Sequence, residues 1–241
     1  EMRTVLTLAV SLVFGLTAAQ TKINKSFSTD KNQKISLKFD YPELIKISTW
    51  DKPEVQILGT VNINENESNE AFQIKESKEG NSLVIEGKIA EMKNIPHRIK
   101  VEKDNKKLIF KTREEYQKYC KENNVTFNSM TDGVDVDIKL EIKVPKYLMT
   151  QIESQYGLVE VKNFGGTINV NAIYGGIDAT VLDKNVGKLS AETHFGQIYS
   201  NLDAKFTGKD SNDFRTLVTA TFGNGPQYNL ESKYGNIYLR K

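Results

Sequence analysis

The chain has 241 residues, of which 38% are hydrophobic, and its 33 basic and 31 acidic side chains give a formal net charge of +2. The two signs are interspersed rather than gathered into a basic patch, which argues against nucleic acid as a partner. The length suits one all-β domain or two smaller ones with a sizeable core.

The N-terminus has the pattern of a secretory signal peptide. Arg3 precedes an apolar run over residues 5–16, and the small residues Thr17-Ala18-Ala19 that follow suit signal peptidase. We therefore expect residues 1–19 to be removed and Gln20 to begin an exported chain. The run is too short to span a bilayer comfortably and no second one follows, so we expect no membrane span in the mature chain.

Residues 20–145 are β-rich by pattern. Residues 35–40 alternate between apolar and polar side chains, as in a strand with one solvated face. Residues 45–50 and 55–63 are joined by a proline-containing turn and have the pattern of a hairpin. Further strands are predicted at 71–75, 82–89, 99–101, 108–110 and, with the most regular alternation, 134–144.

One segment of this part favours a helix. Thr112-Arg113-Glu114-Glu115 matches a capping box, and Tyr116, Tyr119 and Cys120 then fall on one helical face. We predict a short helix of about three turns that covers a sheet edge. Cys120 is the only cysteine, so no internal disulfide can form. Because no nucleophile motif surrounds it, we interpret Cys120 as a half-buried structural residue.

The last third of the chain repeats one phrase: a small residue, any residue, an aromatic residue and glycine. The copies occupy residues 154–157, 172–175, 193–196, 220–223 and 232–235. Stacked repeat units place like residues above one another. The repeat therefore favours a parallel β-solenoid over residues 146–241, stacked on the β-rich part, with an antiparallel meander as the alternative arrangement. The alternative to a boundary at residue 145 is one continuous domain over residues 34–241.

The aromatic residues of the repeat are the candidate binding residues, and they are Tyr156, Tyr174, Phe195, Phe222 and Tyr234. If these rings lie outside, they form a ladder of flat surfaces on which sugar rings or a partner strand could rest. If they lie inside, they only pack the core or its corners. The free interchange of Tyr and Phe favours the second interpretation.

No catalytic residue, metal or other cofactor is predicted. Asp132, Asp135 and Asp137 could suggest a calcium or acid–base cluster, but no glycine-containing calcium loop accompanies them, which favours a solvated strand face. Two histidines and one cysteine are too few for a usual zinc site.

Together these features resemble a family of exported bacterial proteins called putative adhesins, which contain a domain of unknown function. The resemblance is carried by residues 47–55, the strand 138–145, the repeated Tyr-Gly and Phe-Gly steps, and the ending 234–239. It implies a β-solenoid in the envelope or outside the cell of Gram-negative bacteria, without established catalytic residues. Residues 112–124 depart from the family pattern.

The sequence thus favours a non-enzymatic exported protein, either periplasmic, on the cell surface or secreted, whose stacked strands bind an envelope polysaccharide or a protein partner. One alternative is a polysaccharide-cleaving β-helix enzyme, which would need paired carboxylates. Another, implied by the resemblance, is a component of envelope-stress signalling. The acids available to an enzyme are scattered along the repeat, at Glu153, Glu160, Asp178, Asp183 and Glu192.

Overall fold

A computed structural model describes residues 21–104, 106–182, 186–212 and 214–241, without the side chains of residues 209–212. The expected signal peptide at residues 1–19, the expected mature terminus Gln20, and Asp183 lie outside the described residues. Within those ranges, no helix combines the length and the apolar character needed to cross a membrane.

The described chain is mostly β-strand, which confirms the predicted all-β class. The strands before the helix are β1 (Thr21–Ser28), β2 (Lys34–Phe39), β3 (Leu44–Trp50), β4 (Glu54–Ile63), β5 (Phe72–Glu79), β6 (Ser82–Ile89), β7 (Arg98–Lys103) and β8 (Lys106–Phe110). The helix is α1 (Arg113–Asn123), and short 3-10 turns occur at Asn69–Ala71 and Met92–Asn94. The strands after the helix are β9 (Thr131–Gly133), β10 (Val136–Pro145), β11 (Thr150–Tyr156), β12 (Leu158–Val161), β13 (Ile168–Tyr174), β14 (Ile177–Thr180), β15 (Lys188–Thr193), β16 (Ile198–Ser200), β17 (Thr207–Asn212), β18 (Arg215–Thr221), β19 (Gln227–Ser232) and β20 (Ile237–Arg240).

Two large sheets enclose one hydrophobic core. Within the described residues, one sheet has the order β1-β4-β10-β3-β12-β14-β20-β16 and the other β17-β18-β15-β19-β13-β11-β2-β6-β5. Buried residues of both sheets, such as Ile47 and Val170, belong to the same core cluster. Burial alternates along strands such as β13, so each sheet turns one face to the core and the other to solvent.

The repeat units stack in parallel but not in the order of the chain. In the nine-stranded sheet, β2, β11, β13, β19 and β15 are successive parallel neighbours. In the eight-stranded sheet, their following strands β3, β12, β14, β20 and β16 are stacked in the same order. The last unit of the chain, β19 and β20, therefore lies between two earlier units.

The two large sheets are mixed, which differs from the purely parallel solenoid that the repeat predicts. In the nine-stranded sheet, β18 pairs antiparallel with β15, and β17 pairs antiparallel with β18. The fourth copy of the repeat, residues 220–223, lies at the end of the antiparallel strand β18 instead of in a stacked unit. It is also the copy that has Gly225 where the others have a branched apolar residue, so it lacks the side chain that would enter the core.

The predicted hairpin of β3 and β4 is wrong because β10 lies between them. Residue Ile142 of β10 is opposite Ile47 in the parallel pair with β3 and opposite Ile57 in the antiparallel pair with β4. The central position buries the apolar face of β10 from Ile138 onward, where Ile138, Ile142 and Val144 have no exposed surface. Strands from either side of residue 145 therefore pair within one sheet.

The predicted helix is confirmed, but it packs elsewhere than expected. The Glu115 N–H donates to Thr112 Oγ1 at 3.2 Å, and the Glu115 carboxylate accepts from the Lys111 N–H at 2.7 Å. Tyr116 and Tyr119 pack on Phe110, with ring centroids 5.6 and 5.2 Å away. The helix thus lies on a small sheet of order β8-β7-β9, not on an edge of a large sheet. Its Cys120 is half-buried, as expected.

Candidate functional site

Four of the five repeated aromatic residues lie outside the core in one stack, which we call the aromatic ladder: Tyr156, Tyr174, Tyr234 and Phe195, in spatial order. Neighbouring ring centroids are 5.3, 5.2 and 5.1 Å apart, and the ring planes agree within 18°. Each ring is between 40% and 55% exposed. The interpretation of these four residues as core packing is therefore wrong.

Two further rings extend the ladder, and one predicted ring is absent from it. Tyr41 stacks on Tyr156 at 5.7 Å, and Phe214 is tilted against Phe195 at 5.8 Å. Phe222 instead packs, half-buried, against the hydrophobic core. Tyr41 could in part be found from the sequence, because it follows β2 as the other ladder residues follow their strands. Phe214 could not, because no copy of the repeat phrase surrounds it.

The glycines of the repeat allow the turns behind the rings to approach one another closely. A Cβ on Gly175 would lie 1.6 Å from the carbonyl oxygen of Gly157, and one on Gly235 would lie 2.1 Å from the oxygen of Gly175. The same holds for Gly196, whose Cβ would lie 2.1 Å from the oxygen of Gly235. Only glycine fits such an approach, so the turns stack and bring the following units into register.

The small residues of the repeat are buried, and those with a hydroxyl group bind the turn backbone. Ser232 Oγ lies 2.9 Å from the carbonyl oxygen of Gly175 and accepts the Gly235 N–H at 2.9 Å. Thr193 Oγ1 donates to the Gly235 carbonyl at 2.9 Å. These hydroxyl groups satisfy backbone groups that the turns leave unpaired, which fixes the position of the aromatic residue between them.

The stacking decides which part of each ring a partner can reach. Because neighbouring rings lie face to face, the faces of Tyr174 and Tyr234 are covered, and the ladder presents ring edges to solvent. The flat platform that the sequence suggested for sugar rings is therefore absent within the stack. Aromatic edges carry partial positive charge, and the three tyrosines add hydroxyl groups, so the exposed line suits ligand oxygen atoms.

Beside the ladder, the outer face of the nine-stranded sheet has two rows of polar side chains, which we call the polar rows. The parallel register aligns Gln151, Asn169, Asn229 and Ser190 in the first row, and Glu153, Asn171, Glu231 and Glu192 in the second. Residues of both rows line a surface depression of about 320 Å³. Sequence reasoning did not single out the polar rows as a site, because polar residues on an outer strand face are common.

The charge of the second row is compensated at one end. Arg215 Nε donates to Glu192 at 2.5 Å, and His194 Nε2 lies 3.1 Å from the same carboxylate. The hydrogen bond from Arg215 lowers the pKa of Glu192 below its ordinary value, so this carboxyl group is ionised at neutral pH. Glu231 also lies near the imidazole, at 3.6 Å from His194 Nε2.

Two further acids of the repeat, Glu160 and Asp178, belong to the eight-stranded sheet, whereas the polar rows belong to the nine-stranded sheet. Glu160 and Asp178 are opposite each other in the eight-stranded sheet. Each is bound by a cation: Glu160 lies 3.0 Å from Lys162 Nζ, and Asp178 accepts from Arg240 Nε at 2.8 Å. They are thus separated from Glu153 and Glu192 of the polar rows.

The aspartates near the start of β10 do not form one group. Asp135 is buried, hydrogen-bonded to Lys107 and 3.8 Å from Lys100 Nζ, so its interpretation as part of a solvated face is wrong. Asp132 pairs with His97 at 2.9 Å, and Asp137 with Lys139 at 3.3 Å. Among the residues described, no three His, Cys, Asp or Glu side chains are grouped as metal ligands.

No protein-family model matches the chain, and no curated protein matches it either. It is similar to the crystal structure of a putative cell adhesion protein from Clostridium sporogenes ATCC 15579, at 15% identity and a TM-score of 0.49, over 92% of this chain and 99% of that one. It is also similar to a putative adhesin from Bacteroides fragilis NCTC 9343, at 12% identity and a TM-score of 0.25, over 93% and 100% of the two chains. At these TM-scores the likeness carries no argument about function.

Proposed function

We propose that the chain is a non-enzymatic, adhesin-like exported protein that uses the aromatic ladder as an extended contact surface for an envelope polysaccharide or protein. The proposal depends on one observation above all: four large rings stand in a line on the surface, each between 40% and 55% exposed. A contiguous exposed apolar feature on a folded protein commonly marks an interaction surface.

Stabilisation alone accounts for the stacking of the rings but not for their location. An aromatic pair contributes about 0.5–1.5 kcal/mol beyond the burial of its surface, and a stack inside the core would provide this as well. A stack outside the core leaves ring edges and the hydroxyl groups of Tyr156, Tyr174 and Tyr234 available to a partner. An exposed stack thus offers binding groups that a buried stack would not, and this supports a contact surface.

The non-enzymatic part of the proposal is supported by the state of the acidic residues. Glycosidases use two carboxyl groups on either side of the scissile bond. Among the described residues the register brings two acidic pairs of the repeat together: Glu160 and Asp178, held by Lys162 and Arg240, and Glu192 and Glu231, of which Glu192 is held by Arg215. A carboxylate that is held by a cation is not available as the proton donor that general acid catalysis needs.

A matched pair of tyrosine variants tests the contact surface. Tyr174 lies within the ladder and is 54% exposed, whereas Tyr147 lies outside it and is 52% exposed. Purified protein is screened against envelope polysaccharides and envelope proteins of a Gram-negative bacterium. We expect Tyr174→Ala to weaken binding of the partner found and Tyr147→Ala to leave it unchanged.

Three outcomes would contradict the proposal. They are equal effects of the two variants, the absence of any partner, and release of reducing ends from the polysaccharides by the wild-type protein. Export is tested separately by mass spectrometry of the protein from the envelope and the medium, where we expect an N-terminal peptide that begins at Gln20.

A further inference from the structure

We propose that the polar rows form a groove for a neutral, extended polysaccharide, which lies across the strands and parallel to the aromatic ladder. This inference rests on the proposed function and names the class of ligand that the surface takes. It is carried by the arrangement of the polar rows relative to the rings, by the hydrogen-bonding groups they offer and by their charge.

The polar rows and the ladder are built on the same four strands. In each unit the aromatic residue comes three positions after the residue of the second row, as in Asn171 and Tyr174 or Glu231 and Tyr234. At about 3.3 Å per residue, ladder and second row are roughly 10 Å apart. A chain that crosses the strands over the rows therefore runs parallel to the ladder.

The spacing across the strands suits a polymer with one sugar per strand. Neighbouring strands are about 4.8 Å apart, and the ladder repeats every 5.1 to 5.3 Å. Successive rings of an extended β-1,4-linked polysaccharide advance by a similar distance. Such a chain places one sugar ring over each strand in turn, with successive rings turned over, and each ring brings hydroxyl groups to its strand.

The chemistry of the first row fits hydroxyl groups. Amide side chains both donate and accept hydrogen bonds, whereas carboxylates only accept. Asn229 Nδ2 already donates to Asn169 Oδ1 at 2.7 Å, and Gln227 Nε2 donates to Asn229 Oδ1 at 2.9 Å. These contacts hold the amide groups in fixed orientations, so a ligand meets preorganised donors and acceptors. Sugar hydroxyl groups, which donate and accept, can satisfy both kinds.

The charge of the rows favours a neutral ligand over a charged one. Glu192 is compensated by Arg215 and faces His194. Glu153 is opposite Lys38 of the neighbouring strand. The carboxylates Glu153, Glu192 and Glu231 are balanced by Arg215, Lys38 and Lys233, so neither an acidic polymer nor a strongly basic peptide meets a surplus of opposite charge. A crossing peptide also gains no strand pairing, because the backbone groups of β13 and β19 already pair with neighbours on both sides.

The test compares neutral and acidic oligosaccharides of the same linkage by isothermal titration calorimetry. The probes are cellohexaose, the corresponding N-acetylglucosamine oligomer, and acidic β-1,4-linked mannuronate. The groove variant is Asn169→Ala/Asn229→Ala, which removes both partners of one hydrogen bond, while Gln227, which loses its acceptor on Asn229, is exposed to water. The control is Gln73→Ala, an exposed amide on the edge strand β5 of the same sheet. Thermal unfolding confirms that both variants fold.

We expect a neutral probe to bind wild type and Gln73→Ala equally, and the double variant to bind at least about tenfold more weakly, as the loss of two hydrogen bonds implies. The mannuronate oligomer should bind more weakly than the neutral probes. The groove is refuted by unchanged affinity of the double variant, by tighter binding of mannuronate, or by the absence of binding of both neutral probes.

The proposed function is judged by a different variant, so the two failures can be told apart. If a partner of another class binds and Tyr174→Ala weakens that binding, the contact surface of the ladder stands and only the polysaccharide groove falls. If a neutral probe binds through Asn169 and Asn229 but no partner depends on Tyr174, the groove stands and the contact surface of the ladder falls.

Discussion

At the scale of single residues, glycine in the stacked turns is required by the approach of two backbones. We predict that Gly175→Ala lowers the free energy of unfolding by about 3 kcal/mol, because its Cβ would lie 1.6 Å from the Gly157 carbonyl oxygen. Gly223, the equivalent residue of the copy that leaves the stack, has no atom within 4 Å of a Cβ. Gly223→Ala should therefore change stability by less than about 0.5 kcal/mol in urea unfolding. Equal losses in the two variants would contradict this account of the turns.

The stack of rings can be separated from the hydroxyl groups that it presents. Tyr174→Ala removes stacking against Tyr156 and Tyr234 and should cost about 1–3 kcal/mol in chemical unfolding, since each aromatic pair contributes about 0.5–1.5 kcal/mol. Tyr174→Phe keeps the stack and should leave stability within about 0.5 kcal/mol of wild type. A loss of stability on Tyr174→Phe as large as on Tyr174→Ala would show that the ring does not act through stacking.

The ion pair at the end of the polar rows predicts a dependence on pH. The hydrogen bond from Arg215 lowers the pKa of Glu192 in the folded chain below 4.5. A carboxyl group with a lowered pKa stabilises the fold above its unfolded pKa, and this stabilisation is lost as pH falls through the folded pKa. The difference in unfolding free energy between wild type and Arg215→Met should thus be largest near neutral pH and shrink under acid. A difference that stays constant over this range would contradict it.

The sequence indicates which aromatic residues repeat but not which way they point. In each copy the ring is two positions after a buried small residue, as Tyr156 is after Ser154. Strand alternation would place both on the core side. The glycine turn ends the core at this point, so the ring extends past it to the surface. The exchange of Tyr for Phe is compatible with either location and could not decide between them.

At the scale of elements, the register between the stacked strands was predictable from the sequence, but the order of the strands within each sheet was not. The repeat aligns Val159, Ile177 and Ile237 as expected, since each is opposite the next in neighbouring parallel strands. Because every copy has a similar apolar face, any copy can pair with any other, and nothing local indicates that β19 and β20 enter between earlier units. Helix α1 was found because its capping box is a local signal, while the small sheet beneath it depends on contacts between distant residues.

The inserted unit predicts the effect of shortening the chain. Without residues 227–241, β15 and β16 lose their parallel partners β19 and β20, and β13 and β14 lose one neighbour each. We expect a chain that ends at Pro226 to lose hydrogen-exchange protection throughout β15 and β18, while β4 and β10 remain protected. Full protection of β15 in the shortened chain would contradict the observed order of strands.

At the scale of the whole molecule, two large sheets share one core, with the polar rows on the outer face of the nine-stranded sheet and the aromatic ladder at the ends of the same strands. The β-rich character, most strand positions and the parallel stacking could be predicted from alternation and repetition alone. The mixed sheets and the central place of β10 could not, because pairing between distant strands is decided by which arrangement buries most apolar surface. Both candidate surfaces result from this arrangement, since they require four strands from separate parts of the chain to lie side by side.

The central claim is that a partner covers the aromatic ladder. Hydroxyl-radical footprinting of the protein, free and bound to the partner found in the screen, measures this for each ring by mass spectrometry. We predict reduced oxidation of Tyr156, Tyr174, Tyr234 and Phe195 in the complex and unchanged oxidation of Tyr147, which is equally exposed but lies outside the ladder. Unchanged oxidation of the four ladder rings in a saturated complex would contradict the account.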